Sequence, residues 1–179
     1  MERRAEARGC CDRLIALPLE ATSAIRRVLY SENMEWSTDR KGSIAESAIV
    51  LAAIRLGLSV SKPLTDGDRY DLIFDLDPGL IRVQCKWATL VGDVVSVRCY
   101  SCRRTRSGQL KRGYSADEID AIAAYCSDLD RCFCFPIHSL DGRATIQLRL
   151  RPTLNNQQLG INWADEFAFE GLQSGRLGP

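Results

Sequence analysis

The chain has 179 residues, of which 45% are hydrophobic and 26% are charged, and its formal net charge is +1. This length and composition predict one globular domain with its own core, whereas a net charge so close to zero gives no information about partners. No apolar stretch approaches the about 20 residues of a membrane-spanning helix, and the arginine-containing beginning of the chain lacks a convincing signal-peptide pattern. We therefore expect a cytoplasmic protein with no membrane partner.

The first 33 residues differ from the rest of the chain. They hold a predicted helix around residues 20–30 and several basic residues, but no group that suggests chemistry. Met34 then opens a stretch that reads like a natural beginning. We predict an N-terminal extension over residues 1–33, for which an upstream start chosen in error is the alternative, a functional domain over residues 34–172, and a flexible tail over residues 173–179.

The segment "KGSIAESAIVLAAIRLG", residues 41–57, predicts a helix. Ser43 is a suitable N-cap, Glu46 three residues later completes a capping box, and Gly57 is a suitable stop. The helix is almost wholly apolar, so it is expected to be covered on most sides. Arg55 and Glu46 point about 180° apart at 100° per residue, so Arg55 marks the wet face and Glu46 need not lie on it.

A strand over residues 58–62 and a loop lead to a hairpin, "YDLIFDLDPGLIRVQCKWA", at residues 70–88. Because strand side chains alternate, Arg82, Gln84 and Lys86 share one face. A two- or three-residue loop at the Asp-Pro-Gly turn places Asp71 opposite residue 85 or 86, give or take one, and so beside Gln84 and Lys86. The ordinary alternatives are a strand-end acid, an amphipathic polar face and, for Glu46, a simple capping role.

The second half of the chain adds further predicted elements. A strand over 94–100 precedes a basic loop over 101–114, a second helix with an S-x-x-E box over 115–126, strands over 131–137 and 144–151 with an Asp-Gly turn between them, and a short helix in "NWADEF". The order is helix, three or four strands, helix, two strands. It predicts an α/β fold in which a mixed central β-sheet is flanked by helices.

Residues 98–112 contain six basic side chains and no acid. Such a patch can neutralise DNA phosphates, and the ordinary alternative is a solvated loop. The candidates for DNA binding are Arg98, Arg103, Arg104, Arg106, Lys111 and Arg112. Weaker candidates are Arg69, Arg82, Arg149 and Arg151, and the polar run at residues 155–158 is suited equally to base contacts and to capping a turn.

Eight cysteines are present, and in a cytoplasmic chain they are expected to be free thiols. Cys99-x-x-Cys102 resembles half of a zinc site, but the sequence offers no matching second pair at the usual spacing. Buried or half-buried thiols are therefore favoured over structural zinc.

Taken in order, "KGSIAESAIVLAAIRLG", "RYDLIFDL" and "IRVQCKWA" resemble the PD-(D/E)XK nuclease superfamily, most closely its group I intron-associated homing endonuclease branch. The similarity runs from about Arg40 to Phe169. It implies a restriction-endonuclease-like core of αβββαβ order, with Asp71 as the central metal-binding aspartate, Lys86 as the motif lysine and Glu46 as the helix acid. Gln84 stands where most of the superfamily has an acid.

The resemblance implies metal-dependent hydrolysis of double-stranded DNA by a homo-oligomer, either a dimer or a tetramer. Mg²⁺, or Mn²⁺ in its place, takes oxygen ligands, which Asp71, Gln84, Glu46 and the carbonyl of Cys85 can supply. Lys86 would orient the attacking water or stabilise the charge of the transition state. The alternatives are a restriction-type or junction-resolving nuclease, and a non-catalytic DNA-binding module, which the uncharged Gln84 suggests.

Overall fold

The protein is described from a computed structural model, which covers residues 36–65, 67–77, 79–152 and 159–174. The chain divides into two compact units, residues 1–36 and residues 37–179, and every element below belongs to the second. The predicted N-terminal extension, the polar run at 155–158 and residues 175–179 of the predicted tail lie outside the described residues. None of the described helices is long and apolar enough to cross a membrane.

The first helix, α1, spans Thr38–Arg55 and begins earlier than the sequence predicts. Its N-cap is Ser37, whose side-chain oxygen accepts a hydrogen bond from the amide of Arg40 at 3.3 Å. Ser43 lies inside the helix, where its hydroxyl donates to the Asp39 carbonyl at 3.1 Å, so the predicted capping box with Glu46 is wrong. The predicted stop is confirmed, because Gly57 follows the helix with φ of +81°, a conformation that favours glycine.

An eight-stranded mixed sheet forms the centre of the unit. Its strands are β1 (Ser59–Ser61), β2 (Leu72–Leu76), β3 (Gly79–Val91), β4 (Val94–Arg98), β7 (Ala121–Cys126), β8 (Arg131–Pro136), β9 (Thr145–Arg149) and β10 (Asn162–Trp163). The path β1-β2-β3-β4-β9-β10 is continuous, and β7 joins it by pairing with β3 and β8. The strands predicted near residues 58–62, 131–137 and 144–151 are therefore confirmed, although the last two do not pair with each other.

The basic segment predicted as a loop is instead a two-stranded antiparallel ribbon. Its strands are β5 (Tyr100–Thr105) and β6 (Gly108–Gly113), and they form a sheet separate from the central one. Directly after the turn, Gly108 begins β6 at φ of +124°, which only glycine adopts easily. The sequence offered little support for strands here, because almost every side chain of the segment is exposed and no apolar alternation marks a buried face.

The helix predicted over residues 115–126 is wrong. The capping-box residues form only one turn, in which the amide of Ile119 donates to the Ser115 carbonyl at 3.1 Å. The following run, Ala121–Cys126, is β7, which lies parallel to β3 in the middle of the sheet. A parallel strand that is covered on both faces reads as a continuous apolar run, and such a run cannot be told from a buried helix by periodicity.

The two faces of the sheet carry separate apolar clusters. Against the first face, α1 packs Ile49 and Ala53 on Leu72, Phe74 and Val83, all of which are fully buried or nearly so. The second face is covered by turns and by the 3-10 helices Ile137–Leu140 and Ala164–Phe167. Burial of each large apolar side chain contributes roughly 1.5–3 kcal/mol. The α/β fold with a mixed central sheet is thus confirmed, with α1 as the single α-helix among the described residues.

Candidate active site

The middle of β3 lacks a neighbour on one edge. Val83 pairs with Leu72 of β2, and Ala88 pairs with Val97 of β4, so β2 and β4 share one edge of β3. Strand β7 covers the other edge from Val83 to Ala88. No described strand lies along residues 84–87 on the β2/β4 edge. We call this opening the strand gap. Along it, the backbone groups of β3 form no hydrogen bonds to a neighbouring described strand on this edge.

Asp71 lies at the β2 side of the strand gap, as the hairpin register predicted. Its amide donates to the Val83 carbonyl at 2.9 Å, which fixes the backbone one residue before β2 begins. Its Oδ2 accepts a hydrogen bond from the Cys85 amide at 2.8 Å. The same oxygen accepts one from the side-chain amide of Gln84. Asp71 and Gln84 are therefore joined directly, and this part of the predicted constellation is confirmed as a contact.

The carbonyl of Cys85 faces the strand gap as well. The N–H and C=O of one strand residue point to the same edge, and the Cys85 N–H points to Asp71. The Gln84 amide nitrogen also lies 3.4 Å from the Cys85 carbonyl oxygen. The thiol of Cys85 points the other way, into the cluster beneath α1, where burial raises its pKa. The backbone oxygen of Cys85, rather than its sulfur, is thus available at the strand gap.

The surroundings of the Asp71 carboxyl group disfavour its charged form. Burial raises its pKa above the ordinary value, and the Glu46 carboxylate raises it further. The hydrogen bond from the Cys85 amide and the charges of Lys86 and Lys62 act in the opposite direction without cancelling the rise. The Glu46 carboxylate thus adds to the cost of charging Asp71, and a positive charge placed beside Asp71 would be stabilised.

Glu46 approaches the strand gap from the α1 side of the sheet. Its Oε2 lies 2.8 Å from the Lys62 ammonium, and its side chain is about a third exposed. This ion pair raises the pKa of Lys62, through the hydrogen bond first and the charge second. The Lys62 side chain is itself mostly exposed, so we expect the pair to contribute little to stability. The contact with Lys62 instead restricts the orientation of the Glu46 carboxylate.

Lys86 lies on the opposite face of the sheet from α1, where it is half-buried. Its ammonium donates a hydrogen bond to the Tyr114 hydroxyl at 2.7 Å. Burial lowers the pKa of Lys86, and the nearby Asp71 carboxylate opposes that shift. Asp71 thus interacts electrostatically with Glu46 from one face and Lys86 from the other, because the sheet is open between them.

The oxygen atoms around the strand gap suit a hard divalent cation. They are the carboxylate oxygens of Asp71 and Glu46, the Cys85 carbonyl oxygen and the amide oxygen of Gln84, which a rotation about the last side-chain bond would present. The negative charge of the Asp71 carboxylate, with that of Glu46 nearby, fits a cation better than an anion. The described residues contain no group of three or more His, Cys, Asp or Glu side chains placed to hold a metal, so any site here depends on the amide and the carbonyl.

The six basic residues predicted to bind DNA lie on or next to the β5–β6 ribbon. Arg103, Arg104 and Arg106 are exposed, and Arg98 is exposed at the end of β4. Lys111 lies over the Tyr100 ring, 5.1 Å from its centroid. Arg112 forms an ion pair with Glu118. The segment is therefore a paired ribbon and not a loop, although most of these side chains are exposed as the solvated-loop alternative expected.

The weaker basic candidates are occupied by contacts within the fold. Arg82 pairs with Asp120 through two nitrogens at 2.9 and 3.0 Å and also bonds loop carbonyls. Arg149 bonds the carbonyl of Arg151, which itself lies 3.7 Å from Asp93. Arg69 bonds Ser101 and Gly113 at the base of the ribbon. These contacts indicate structural roles.

Two residues at or near the site, Tyr114 and Lys62, were not identified from the sequence, and Arg69 was named there only as a weaker candidate for DNA binding. Tyr114 falls in the segment predicted as a loop, and its contact with Lys86 depends on the ribbon that precedes it. Lys62 directly follows β1, a three-residue strand, and no spacing rule relates it to Glu46. The one signal for Tyr114 in the sequence is its position, as an aromatic residue at the end of the basic segment.

The six described cysteines are free thiols, namely Cys85, Cys99, Cys102, Cys126, Cys132 and Cys134. Within the Cys99-x-x-Cys102 pair, Cys99 is buried and Cys102 is exposed on the ribbon. Burial raises the pKa of Cys99 to about 11 and that of Cys134 to about 12, so both remain protonated at neutral pH. Because Cys99 is buried and Cys102 is exposed, the two thiols of this pair do not form half of a zinc site.

A mixed sheet with an acid directly before one strand and a polar-x-Lys pair on the next agrees with the resemblance to PD-(D/E)XK nucleases that the sequence predicts. The sequence model of the PD-(D/E)XK endonucleases matches residues 36–170, and this chain belongs to that family. Among solved structures, a bacterial homing endonuclease, I-Ssp6803I, is similar at 28% sequence identity with a TM-score of 0.60. The match covers 69% of this chain and 86% of that one. A search of the curated proteins finds no match.

Proposed function

We propose that this protein is a metal-dependent endonuclease that cuts double-stranded DNA at specific sites, of the homing type, with Mg²⁺ as the favoured ion. The observation that carries the proposal is the convergence on Asp71 at the strand gap. One carboxylate oxygen meets the Cys85 amide and the Gln84 side chain, while Glu46 and Lys86 act on it from opposite faces. Family membership and the similarity to a homing endonuclease support the same activity.

Asp71, Glu46, Gln84 and the Cys85 carbonyl would hold the metal ion through oxygen atoms. A bound Mg²⁺ supplies a more acidic water and neutralises charge on the phosphate. The hydrogen bond from the Cys85 amide leaves the second oxygen of Asp71 free and fixes the plane of its carboxylate. Burial of Asp71 limits its solvation by water, which strengthens its interaction with a cation.

Lys86 provides a positive charge that acts on Asp71 from the face opposite α1. Its ammonium has three donors, one of which goes to Tyr114, so two remain for an attacking water or a phosphate oxygen. The surrounding burial makes such a contact stronger than it would be in water. Lys86 would therefore orient the nucleophile and stabilise charge that develops on the phosphate.

The β5–β6 ribbon is the proposed DNA-binding element. A two-stranded ribbon fits the major groove of B-form DNA, where base edges are distinguishable. Cross-strand register places Arg104 and Lys111 on one face of the ribbon and Arg103 and Arg112 on the other. Both faces thus carry charges that can reach phosphates on either side of a groove.

We further propose that the protein acts as a homo-oligomer. A single ribbon of six residues per strand spans few base pairs, and a site-specific enzyme needs a longer contact surface. Symmetric association, as a dimer or a tetramer, supplies a second ribbon without any additional sequence. If the gene lies in a group I intron, an interrupted tRNA or rRNA gene is expected around the reading frame.

The second candidate is a DNA-binding module that has lost cleavage. Gln84 favours it, because an amide contributes one fewer negative charge to the site than the acid usual in the superfamily. Against it stand Asp71, Glu46 and Lys86, whose electrostatic coupling has no evident use in a protein that only binds. A restriction-type or junction-resolving enzyme would use the same site on different DNA.

A cleavage assay separates these candidates. Purified protein is incubated with a library of randomised DNA targets in Mg²⁺, in Mn²⁺ and in a chelator, and the products are sequenced. The proposal predicts cuts at one recurrent sequence in the presence of metal and none in the chelator. Binding without cutting in both metals would favour the non-catalytic module. Cutting restricted to branched DNA added to the library would favour a junction-resolving enzyme.

A further inference from the structure

Tyr114 follows the last residue of β6 and ends the ribbon next to the strand gap. Its hydroxyl accepts a hydrogen bond from the Lys86 ammonium at 2.7 Å. Its ring lies beneath two cations, with the Lys86 nitrogen 4.8 Å and the Arg69 guanidinium carbon 4.4 Å from the centroid. The hydroxyl and the aromatic ring of Tyr114 therefore both contact positively charged groups.

Lys86 needs such a partner. A lysine side chain has a flexible stem of four carbons, so its ammonium is not fixed by the backbone. The ammonium carries three hydrogen-bond donors that are costly to bury without an acceptor. Within the described residues, the Tyr114 hydroxyl is the one hydrogen-bond acceptor found for this ammonium. The contact spans 28 positions of sequence, so it ties the end of the ribbon to the centre of β3.

Tyr114 is itself fixed in place by Arg69. The Arg69 guanidinium donates to the Ser101 hydroxyl at 2.9 Å and to the Gly113 carbonyl, both at the base of the ribbon. Its Nε lies 3.2 Å from a carboxylate oxygen of Glu118, which also pairs with Arg112. The aromatic face of Tyr114 is thus held against a guanidinium that cannot easily turn away.

The Tyr114 hydroxyl remains protonated in ordinary conditions. Burial raises the pKa of Tyr114 to about 12, although the Arg69 charge opposes the shift. The group therefore acts as a neutral phenol that accepts from Lys86 and keeps its own proton. It is not suited to serve as the base that activates water.

We infer that Tyr114 is a positioning residue for Lys86, which holds the ammonium at the strand gap through the hydroxyl hydrogen bond. This inference rests on the proposed nuclease function. It also assigns a second use to the ribbon, whose last residues fix the lysine while its exposed arginines face DNA.

The test variant is Tyr114→Phe, which removes the hydroxyl and keeps the ring next to the two cations. We expect the single-turnover cleavage rate at saturating DNA and metal to fall about 10- to 100-fold, a typical cost of losing a group that orients an active-site side chain. The dissociation constant for DNA should stay within about twofold, because the ribbon arginines are unchanged. Equal losses in rate and affinity would contradict a positioning role.

A double-mutant cycle with Lys86→Met identifies the residue through which Tyr114 acts. If the hydroxyl works only through Lys86, Tyr114→Phe has no further effect in the Lys86→Met background. Multiplicative effects would show that Tyr114 acts on DNA or on the metal directly, and would overturn the inference. Tyr125→Phe is the matched control, since the Tyr125 hydroxyl bonds Asp130 at 2.9 Å and its ring packs beneath α1.

A measurement independent of cleavage separates this inference from the proposed function. In a ¹H–¹⁵N spectrum of the lysine ammonium groups, the Lys86 signal is assigned by its loss in Lys86→Met. We expect it to be retained in Tyr125→Phe and broadened beyond detection in Tyr114→Phe, because the ammonium protons then exchange freely. An unchanged signal in Tyr114→Phe would overturn the inference even if the wild type cuts DNA. An affected signal in a protein that never cuts would refute the nuclease function alone.

Discussion

The strand gap and the β5–β6 ribbon differ in how their charges are held. At the strand gap, Asp71 and Lys86 are half-buried and each is fixed by a short hydrogen bond. On the ribbon, Arg103, Arg104 and Arg106 extend into solvent. Buried charges act strongly over short distances, whereas exposed charges are screened within about 10 Å at 0.1 M salt.

In the proposed nuclease, this difference would separate the groups that cut DNA from the groups that bind it. Groups that must be placed to within a fraction of an ångström are built on the central sheet, where packing fixes the backbone. Groups that are proposed to neutralise phosphates are carried on a ribbon outside the sheet. Substitutions in the two regions should therefore have different signatures, and each prediction below tests that separation.

The largest expected effect is that of Asp71→Asn. The change keeps the shape of the side chain but removes the central negative charge of the proposed metal site. We expect the cleavage rate to fall by at least about 10²–10³-fold, the usual cost of removing one preorganised electrostatic group. DNA affinity measured in a chelator should not fall. Single-turnover cleavage with gel-shift titration checks both, and a variant that cuts at the wild-type rate would contradict the assignment.

The next effect concerns the ribbon. The double substitution Arg103→Ala and Arg104→Ala removes two exposed cations, one on each face. We expect weaker binding and a slope of log affinity against log salt that is less steep by about 2, one unit for each lost phosphate contact. The cleavage rate at saturating DNA should be nearly unchanged.

Arg55→Ala is the matched control for the ribbon substitution, because Arg55 is an exposed arginine in the last turn of α1. It should leave the salt slope unchanged. If Arg55→Ala reduced the slope as much as the ribbon variant does, DNA would contact the α1 surface and the assignment of the ribbon would be wrong.

Gln84→Glu sharpens the description of the strand gap. A carboxylate at this position adds a negative ligand, and affinity for hard cations rises with ligand charge. We expect half-maximal cleavage at a Mg²⁺ concentration about 10-fold lower than in the wild type. Gln84→Leu is the companion variant and should require more Mg²⁺. If both variants keep the wild-type metal requirement, Gln84 does not contact the ion.

The smallest expected effect is on stability, through Asp120. Hydrogen bonds from Arg82 lower the pKa of Asp120, although partial burial opposes the shift. The pair is about a third exposed, so we expect Asp120→Asn to lower the free energy of unfolding by only about 1–2 kcal/mol at neutral pH.

The pH dependence of that loss follows from linkage. The stabilisation is fully present above the unfolded pKa of about 3.9, and it disappears as the pH falls through the lower folded value. Denaturant unfolding of both proteins at several pH values should therefore give curves that converge in acid. A difference that stays constant down to about pH 2 would show that the ionised carboxylate is not its source.

The hairpin of the site was predictable because two local rules agree there. The period of two fixes which side chains share a face, and the short turn fixes the register, so Asp71 had to lie beside Gln84. Glu46 was predicted on a helix that is covered on most sides. That helix exists, but only one stripe of it is buried, and Leu51 and Ile54 are exposed. Its capping role was also wrong, because Ser37 starts the helix earlier.

The errors arise where long-range contacts override local pattern. An S-x-x-E box followed by an alanine-rich run describes a helix locally, yet β3 offers residues 121–126 a buried edge and Arg82 fixes Asp120 just before it. The ribbon gained strand structure without any buried face of its own. Tyr114 was missed for the same reason, since its contact with Lys86 requires both the ribbon and Arg69 to be in place.

The most direct measurement of the central claim is a crystal structure of the Lys86→Met variant with its cognate DNA and Mn²⁺, in which anomalous scattering locates the ion. We predict an anomalous peak at the strand gap, within about 2.5 Å of an Asp71 carboxylate oxygen and of the Cys85 carbonyl oxygen. A DNA phosphate should contribute to the same ion. A complex with the strand gap empty, or with the ion bound elsewhere on the protein, would contradict the account.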